Sequence, residues 1–405
     1  MAPRNRSASS TQTDLFDEEV SLLLPSRLAI LGKVLDSPVR QQSAAAFRET
    51  CRLRRFSTRR VNGHETTLKS GETLKIISAK TVTQLDCDLV LLVQGASEPA
   101  TIADALERGE GRWTNVAPID IGELDAAARN ERLAAIVASW QEAFHLRQSR
   151  PAENGRPAVL GLRRPQIGAL HAALAHATRS TEPATIVMPT GTGKTETMLA
   201  LNTLRKFDKL LVVVPSDALR EQIATKFETF GVLKQQACLE SSAAFPVVLR
   251  LSHIPKTPAE VDQIFDSANV VVTTMQIAGR ADAPVQERMA ARASALFIDE
   301  AHHIGAPTWA GFRGLFVDRT PPILVIQFTA TPFREDGRRI DGEFIYTYPL
   351  KKAQAEGYFK PIRFEAVFGL DQADADLAIA EKLGEVLQAD LDAGLNHLAI
   401  ARCSR

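Results

Sequence analysis

The residues with the clearest capacity for chemistry lie in the run MPTGTGKTET, 188–197. Gly191 and Gly193 let the backbone curl so that its N–H groups face an anion, and a helix starting near Lys194 aims its positive end inward. Lys194 can reach the terminal phosphates of a nucleotide, and Thr195 can present its hydroxyl to Mg²⁺. The strict GxxxxGK[ST] pattern fails only at its first position, where Met188 stands. Further on, the apolar run ALFID (295–299) leads into Asp299-Glu300-Ala301-His302. A carboxylate at a strand tip can hold Mg²⁺ through water, and its neighbour can orient an attacking water. Phosphate loop and paired acids together make the two halves of a nucleotide-hydrolysing site. His302 and His303 are poor zinc ligands as a pair, because adjacent side chains diverge and no cysteine accompanies them.

Such residues need rigid positioning. TIVM (185–188), LLVVVP (210–215), NVVVTT (269–274), ALFID (295–299) and ILVIQFTA (323–330) alternate with helical stretches. Near-continuous apolar strands separated by helices predict a parallel sheet covered on both faces, with the ligand at the carboxyl ends of the strands. Upstream, residues 1–13 are polar and expected to be disordered. Asp14 and Asp17-Glu18-Glu19 predict a short helix stopped by Pro25. Ser37-Pro38 predicts a helix over about 38–55, on which Arg48, Arg52, Arg55 and Arg59 form one basic stripe beside Arg54 and Arg60. That stripe reads either as a solvated face or as a phosphate-contacting surface. A hairpin turning at Ser70-Gly71, a buried strand over 88–95 and a helix over 123–147 complete a small α+β region. The Pro-, Gly- and charge-rich stretch 147–158 reads as a linker. No catalytic constellation stands out before it. Glu72 and Lys75 lack the E-x-K spacing of a restriction-type nuclease, and His64 has no lysine two residues later.

TGTGKT (190–195), DEAH (299–302) and TATP (329–332) resemble, in order and spacing, motifs I, II and III of superfamily 2 helicases and translocases. Arg164-Pro165-Gln166 is similar to the upstream element of that superfamily, VVVPSDALREQ (212–222) to its motif Ia and VVTTMQ (271–276) to its motif Ib. The stretch 328–362 resembles the DEAD/DEAH-box branch allied to type III restriction-enzyme motor subunits. The resemblance covers about 160–405. It implies that Gln166 reads adenine, while Thr190, Gly191, Thr192, Gly193, Lys194, Thr195 and Glu196 cradle ATP. It implies catalytic roles for Lys194, Asp299 and Glu300, with Thr195 and Asp299 holding Mg²⁺. His302, Thr329 and Thr331 would couple the nucleotide to the track, and Pro215, Ser216, Arg220, Thr273 and Thr274 would contact nucleic acid. The implied fold is α/β, a RecA-like phosphate-loop lobe with a parallel sheet, preceded by a small α+β domain and followed by the start of a second RecA-like lobe. The implied boundaries are 1–13 (tail), 14–150, 151–350 and 351–405. The implied function is an ATP-dependent motor on DNA, or alternatively RNA, in a restriction or phage-defence system. The alternative is an ATP-switched module that binds nucleic acid or a partner without motor activity.

KPIRFEAVFG (360–369), DLAIAEKLGEVLQADL (376–391) and HLAIARCSR (397–405) read as strand, helix and strand opening that second lobe. Motifs V and VI, with their arginine finger, are expected on a partner chain or in further sequence, so weak turnover is expected of these residues alone. Gln276-Ile-Ala-Gly279-Arg280 imitates motif VI but sits between motifs Ib and II, and is assigned to the exit from Ib. Composition narrows the rest. The chain has 405 residues, enough for two to four domains at roughly 100–200 residues each. Lys plus Arg equals Asp plus Glu at 48 each, so nucleic-acid contacts must be local rather than a product of net charge. The apolar runs fall far short of the roughly 20 residues of a membrane span. Four scattered cysteines support no disulfide framework. A cytoplasmic location is the expectation.

Overall fold

The computed structural model describes residues 18–80, 84–153, 157–303, 307–333, 337–359, 366–368 and 371–395. The first part holds β1 (Glu18–Leu24), β2 (Arg27–Val34), β3 (Ser37–Ala44), β4 (Phe47–Ser57), β5 (Asn62–Thr67), β6 (Thr73–Ile77) and β7 (Leu89–Val93). It continues with α1 (Pro99–Glu107), β8 (Gly111–Trp113), β9 (Ile119–Asp120) and α2 (Ala126–Ala138). β1-β4-β5-β6-β7-β8 form one sheet. Its inner face packs Leu22, Leu24, Leu53, Leu74, Ile76, Leu91 and Val93 with Ile102 and Leu106 of α1. The predicted hairpin is present, with β5 and β6 antiparallel on either side of Ser70-Gly71.

The second part alternates helix and strand, as its apolar runs require. In order it holds α3 (Arg164–Arg179), β10 (Ala184–Val187), α4 (Lys194–Arg205), β11 (Leu210–Val214), α5 (Asp217–Thr229), β12 (Val248–Arg250) and α6 (Pro258–Asp266). There follow β13 (Val270–Thr274), α7 (Met275–Arg280), α8 (Ala283–Arg292), β14 (Ala295–Ile298), α9 (Pro307–Val317), β15 (Leu324–Thr329) and β16 (Glu343–Thr347). The sheet order is β16-β10-β15-β14-β11-β13-β12-β3-β2-β9. From β16 to β12 every pairing is parallel. Every residue of β10, β11, β13 and β14 is buried, which is why these strands read as unbroken apolar runs. This is the expected RecA-like arrangement, with a β-rich region before it.

The chain divides into two compact units, one ending at Leu350 and one from Lys351 to Arg405. The second holds most of α10 (Leu350–Ala355) and α11 (Gln372–Asp392), the latter on the segment read as a helix. The strand expected over 360–369 falls largely, and that over 397–405 wholly, outside the described residues, as does the tail 1–13. Among the described residues no helix is long and apolar enough to cross a membrane.

Three expectations about local structure are corrected. Residues 38–55 form strands β3 and β4, not a helix. The run FRETCRLR alternates: Glu49, Cys51 and Leu53 are buried while Arg48, Thr50, Arg52 and Arg54 are exposed. A period of two fits these residues as well as the helical spacing of the arginines does, and pairing with β1 decides for the strand. The segment before Pro25 is β1, held by the same pairing. The helix expected over 123–147 is shorter: α2 runs from its Asp125 cap to Ser139. Trp140 nevertheless keeps its inward position, buried as Leu133 and Ile136 are. In the segment read as a linker, Gln148 bridges to Leu162 and Arg150 to Val159.

Candidate active site

β10 delivers the chain to the phosphate loop, and α4 leaves it. Gly191 and Gly193 both take positive φ, +84° and +98°, a region open to glycine at no steric cost. Gly193 is also the N-cap of α4. A Cβ there would come within 1.9 Å of Gln166 Nε2, so the adenine-reading candidate packs directly over the loop. Gln166 is itself buried and oriented, its Oε1 accepting the Arg163 backbone N–H at 2.7 Å. Thr192 closes the loop by donating its hydroxyl to the Pro189 carbonyl at 2.6 Å. Thr190 and Gly191 are exposed, and Thr195 and Glu196 half-buried, at the mouth.

The acids arrive from the next-but-one strand. β14 pairs with β11 and β15, and Asp299 follows it, anchored by its N–H to the Val213 carbonyl at 2.9 Å. Glu300 takes a positive φ of +49°, an uncommon conformation for a residue with a Cβ. The turn brings its carboxylate to Lys194, Oε1 to Nζ, at 2.9 Å. Lys194 and Glu300 are therefore paired. Burial pushes the Asp299 carboxyl up to about 6, the Glu300 charge adding to the push and Lys194 opposing it. Asp299 Oδ1 is buried without a hydrogen-bond partner. An orphaned carboxylate oxygen beside a phosphate loop, with the Thr195 hydroxyl available, is a donor set that fits a hard divalent cation.

His302 lies beyond the acids, on a 3-10 turn over Ala301–His303. Its Nδ1 is 3.1 Å from Thr329 Oγ1 at the end of β15 and 3.4 Å from Glu300 Oε2. Thr329 in turn donates its hydroxyl to the Thr331 carbonyl at 2.8 Å. One chain of contacts thus runs from Lys194 through Glu300 and His302 to Thr329 and Thr331. A cavity of about 460 Å³ joins Gln166, Lys194, Thr195, Asp299 and Glu300.

The residues assigned to nucleic acid lie elsewhere, at the tips of β11 and β13. Pro215 is half-buried and Ser216 exposed, the latter capping α5 through the Leu219 N–H. Arg220 is largely buried, its guanidinium on Asp217 at 2.8 Å and on the Leu251 carbonyl at 3.2 Å. Thr273 and Thr274 are buried, and Thr274 caps α7, the helix that contains the motif VI look-alike. Two residues at the nucleotide cavity were missed. Arg163 donates to the Gly191 carbonyl at 2.9 Å, and Lys226 on α5 pairs with Glu196 at 2.6 Å. The register of Leu219, Ile223 and Lys226 on α5 was the available signal for the second; nothing local marked the first.

Residues 160–334 match the family model described as "Type III restriction enzyme, res subunit". None of the curated proteins matches the chain. Similar solved structures include the Hef helicase domain of Pyrococcus furiosus, at 24% identity over 40% of this chain and 32% of that one, TM-score 0.29. The UvsW helicase of bacteriophage T4 is 17% identical over 52% of this chain and 61% of its own, TM-score 0.30. A nuclease-deletion mutant of the Type ISP restriction-modification enzyme LlaGI, in complex with a DNA substrate mimic, is 19% identical over 49% of this chain and 18% of its own, TM-score 0.33. Each match spans less than two thirds of the matched chain.

Proposed function

We propose, on the match of residues 160–334 to the type III restriction enzyme res subunit model, that the chain binds and hydrolyses ATP to drive movement on nucleic acid, DNA in the first instance. The observation that carries this reading is the Lys194–Glu300 pair at 2.9 Å, set between the phosphate loop and an orphaned Asp299 oxygen. Nucleotide phosphates compete with Glu300 for the Lys194 ammonium. Binding then frees the carboxylate to orient water and accept its proton, so that the loaded site differs electrostatically from the empty one. Thr195 and Asp299 would hold Mg²⁺, which neutralises phosphate charge when bound. Gln166 offers adenine both a donor and an acceptor, although its Oε1 also serves the Arg163 N–H. His302 feels the release of Glu300 and passes it to Thr329 and Thr331, at the end of β15. The place of this activity in a restriction or phage-defence system belongs to the same proposal.

The test separates binding from hydrolysis. Lys194→Ala should weaken ATP binding, read with a fluorescent ATP analogue, by tenfold or more. Glu300→Gln should keep or tighten binding while cutting phosphate release by on the order of a hundredfold, the usual scale for a general base. Phosphate release unchanged in both variants would refute the proposal.

A further inference from the structure

The N-terminal sheet turns one face away from its core. Along β4 the buried Glu49, Cys51 and Leu53 point inward, and Arg48, Thr50, Arg52 and Arg54 point outward. Arg54 lies opposite Glu65 on β5, which lies opposite Lys75 on β6. This face is concave: a cavity of about 540 Å³ is lined there by Arg52, Arg54, Thr67, Lys69 and Lys75, with Glu65 and Asp86 at its side. Some of the cations are occupied. Arg48 pairs with Glu107, Arg55 pairs with Glu98 at 2.6 Å, and Lys75 donates to the Asp86 carbonyl at 3.1 Å. Among the described residues no acid pairs with Arg52 or Lys69, and both are exposed. The third acid near the cavity, Glu49, is buried and accepts the Lys69 backbone N–H.

We propose that this outward face binds the phosphodiester backbone of nucleic acid, with Arg52, Arg54 and Lys69 on phosphates and the Thr67 hydroxyl beside them. Arginines two apart on a strand present parallel forks about 6–7 Å apart, and the guanidinium fork matches phosphate oxygens in a way a single ammonium does not. Arg59 and Arg60, in the turn after β4, are exposed as well. A strand of this length spans roughly 35 Å, which suits a row of phosphates better than one small anion. The face lies outside residues 160–334, so it is separate from the contacts expected of motifs Ia and Ib. The inference rests on the motor reading only in taking nucleic acid as the ligand.

The full chain, free of nucleotide, is titrated against fluorescein-labelled single-stranded and duplex DNA over a range of NaCl concentrations. Each lost phosphate contact lowers the slope of log K against log salt by about 0.7 for single strands and 0.9 for duplex. Arg52→Ala with Arg54→Ala should therefore lower the slope by about 1.4 for single strands and about 1.8 for duplex and weaken binding about tenfold at moderate salt. Glu65→Gln with Asp86→Asn removes the acids flanking the cavity and should tighten binding several-fold, a gain that misfolding does not produce. DNA binding unchanged in both double variants overturns the proposal. So does loss of inorganic phosphate binding, but not of DNA binding, in Arg52→Ala with Arg54→Ala. Binding of a fluorescent ATP analogue sensitive to Lys194→Ala, measured on the same samples, keeps the two readings apart. If it persists while DNA binding ignores both double variants, this surface alone is wrong. If it is absent while the double variants shift DNA binding, the motor reading alone is wrong.

Discussion

Asp299 is held as an acid in a place that disfavours its charge. Burial and the neighbouring Glu300 raise its carboxyl to about 6, and Lys194 only partly offsets them. The sign of the pH effect follows. Between the ordinary carboxylate range and pH 6 the native protein binds a proton that the unfolded chain has already released. Stability therefore falls as pH rises through that window. Asp299→Asn removes the cost, so the nucleotide-free variant should be more stable than the unsubstituted protein at pH 7.5, by an amount on the order of 3 kcal/mol, and match it only near pH 3. Thermal melts at the two pH values check this; a difference that does not grow with pH contradicts it. The same substitution should abolish the Mg²⁺ dependence of nucleotide binding, because the orphaned Oδ1 is the oxygen it replaces or neutralises. A stability gain coupled to a functional loss is the pattern of a residue kept for chemistry.

Helix α5 carries the Ser216 tip, and its position depends on a buried charge network rather than on apolar packing alone. Arg250 of β12 pairs with Glu228, both almost fully buried, and reaches Glu221 at 2.9 Å and Thr225 at 3.3 Å. Arg220 ties the same helix to the Leu251 carbonyl. Removing one member of a buried pair strands the other charge in a low-dielectric interior, at a cost of about 3–5 kcal/mol. Arg250→Met alone should lower the urea midpoint accordingly. Arg250→Met with Glu228→Leu should recover most of the loss. If the single variant is neutral, or the double variant is worse than the single, the pair does not hold α5 in the way described.

Across the whole molecule, the first and second parts share a sheet. β3 pairs antiparallel with β12, Val39 opposite Leu249 and Arg40 opposite Val248. Side chains reinforce the join: Gln41 donates to the Phe245 carbonyl at 2.8 Å, Asn269 to the Leu133 carbonyl at 3.1 Å, and Trp140 to the Ala244 carbonyl at 2.8 Å. β12 is therefore an interior strand only while residues from 37 onward are present. A chain starting at residue 151 should expose that edge, lose its partners for Phe245 and Ala244, and self-associate. Light scattering and a thermal melt of the shortened chain against the full one test this. A monodisperse fragment with an unchanged midpoint shows that the join adds nothing to the second part.

The glycine-rich loop and the strand-tip acids were legible in the residues themselves because their signals are local. Glycines at positive φ, a lysine opening a helix and a carboxylate at a strand tip each require a specific neighbour in sequence, and periodic apolar runs between them dictate a buried parallel sheet. The 48–60 arginines show where local reading fails. Their spacing fits a helix face, the same residues also alternate, and only the pairing of β4 with β1 and β5 selects the strand. Contacts between distant segments were equally invisible: the Lys194–Glu300 pair, the His302–Thr329 contact and the joining of β3 to β12 bring together residues from about 27 to more than 200 positions apart. Sequence by itself determined which groups could meet a phosphate. Tertiary structure alone decided that the lysine and the acid meet each other first, because pairing and burial depend on long-range approach that no local pattern encodes.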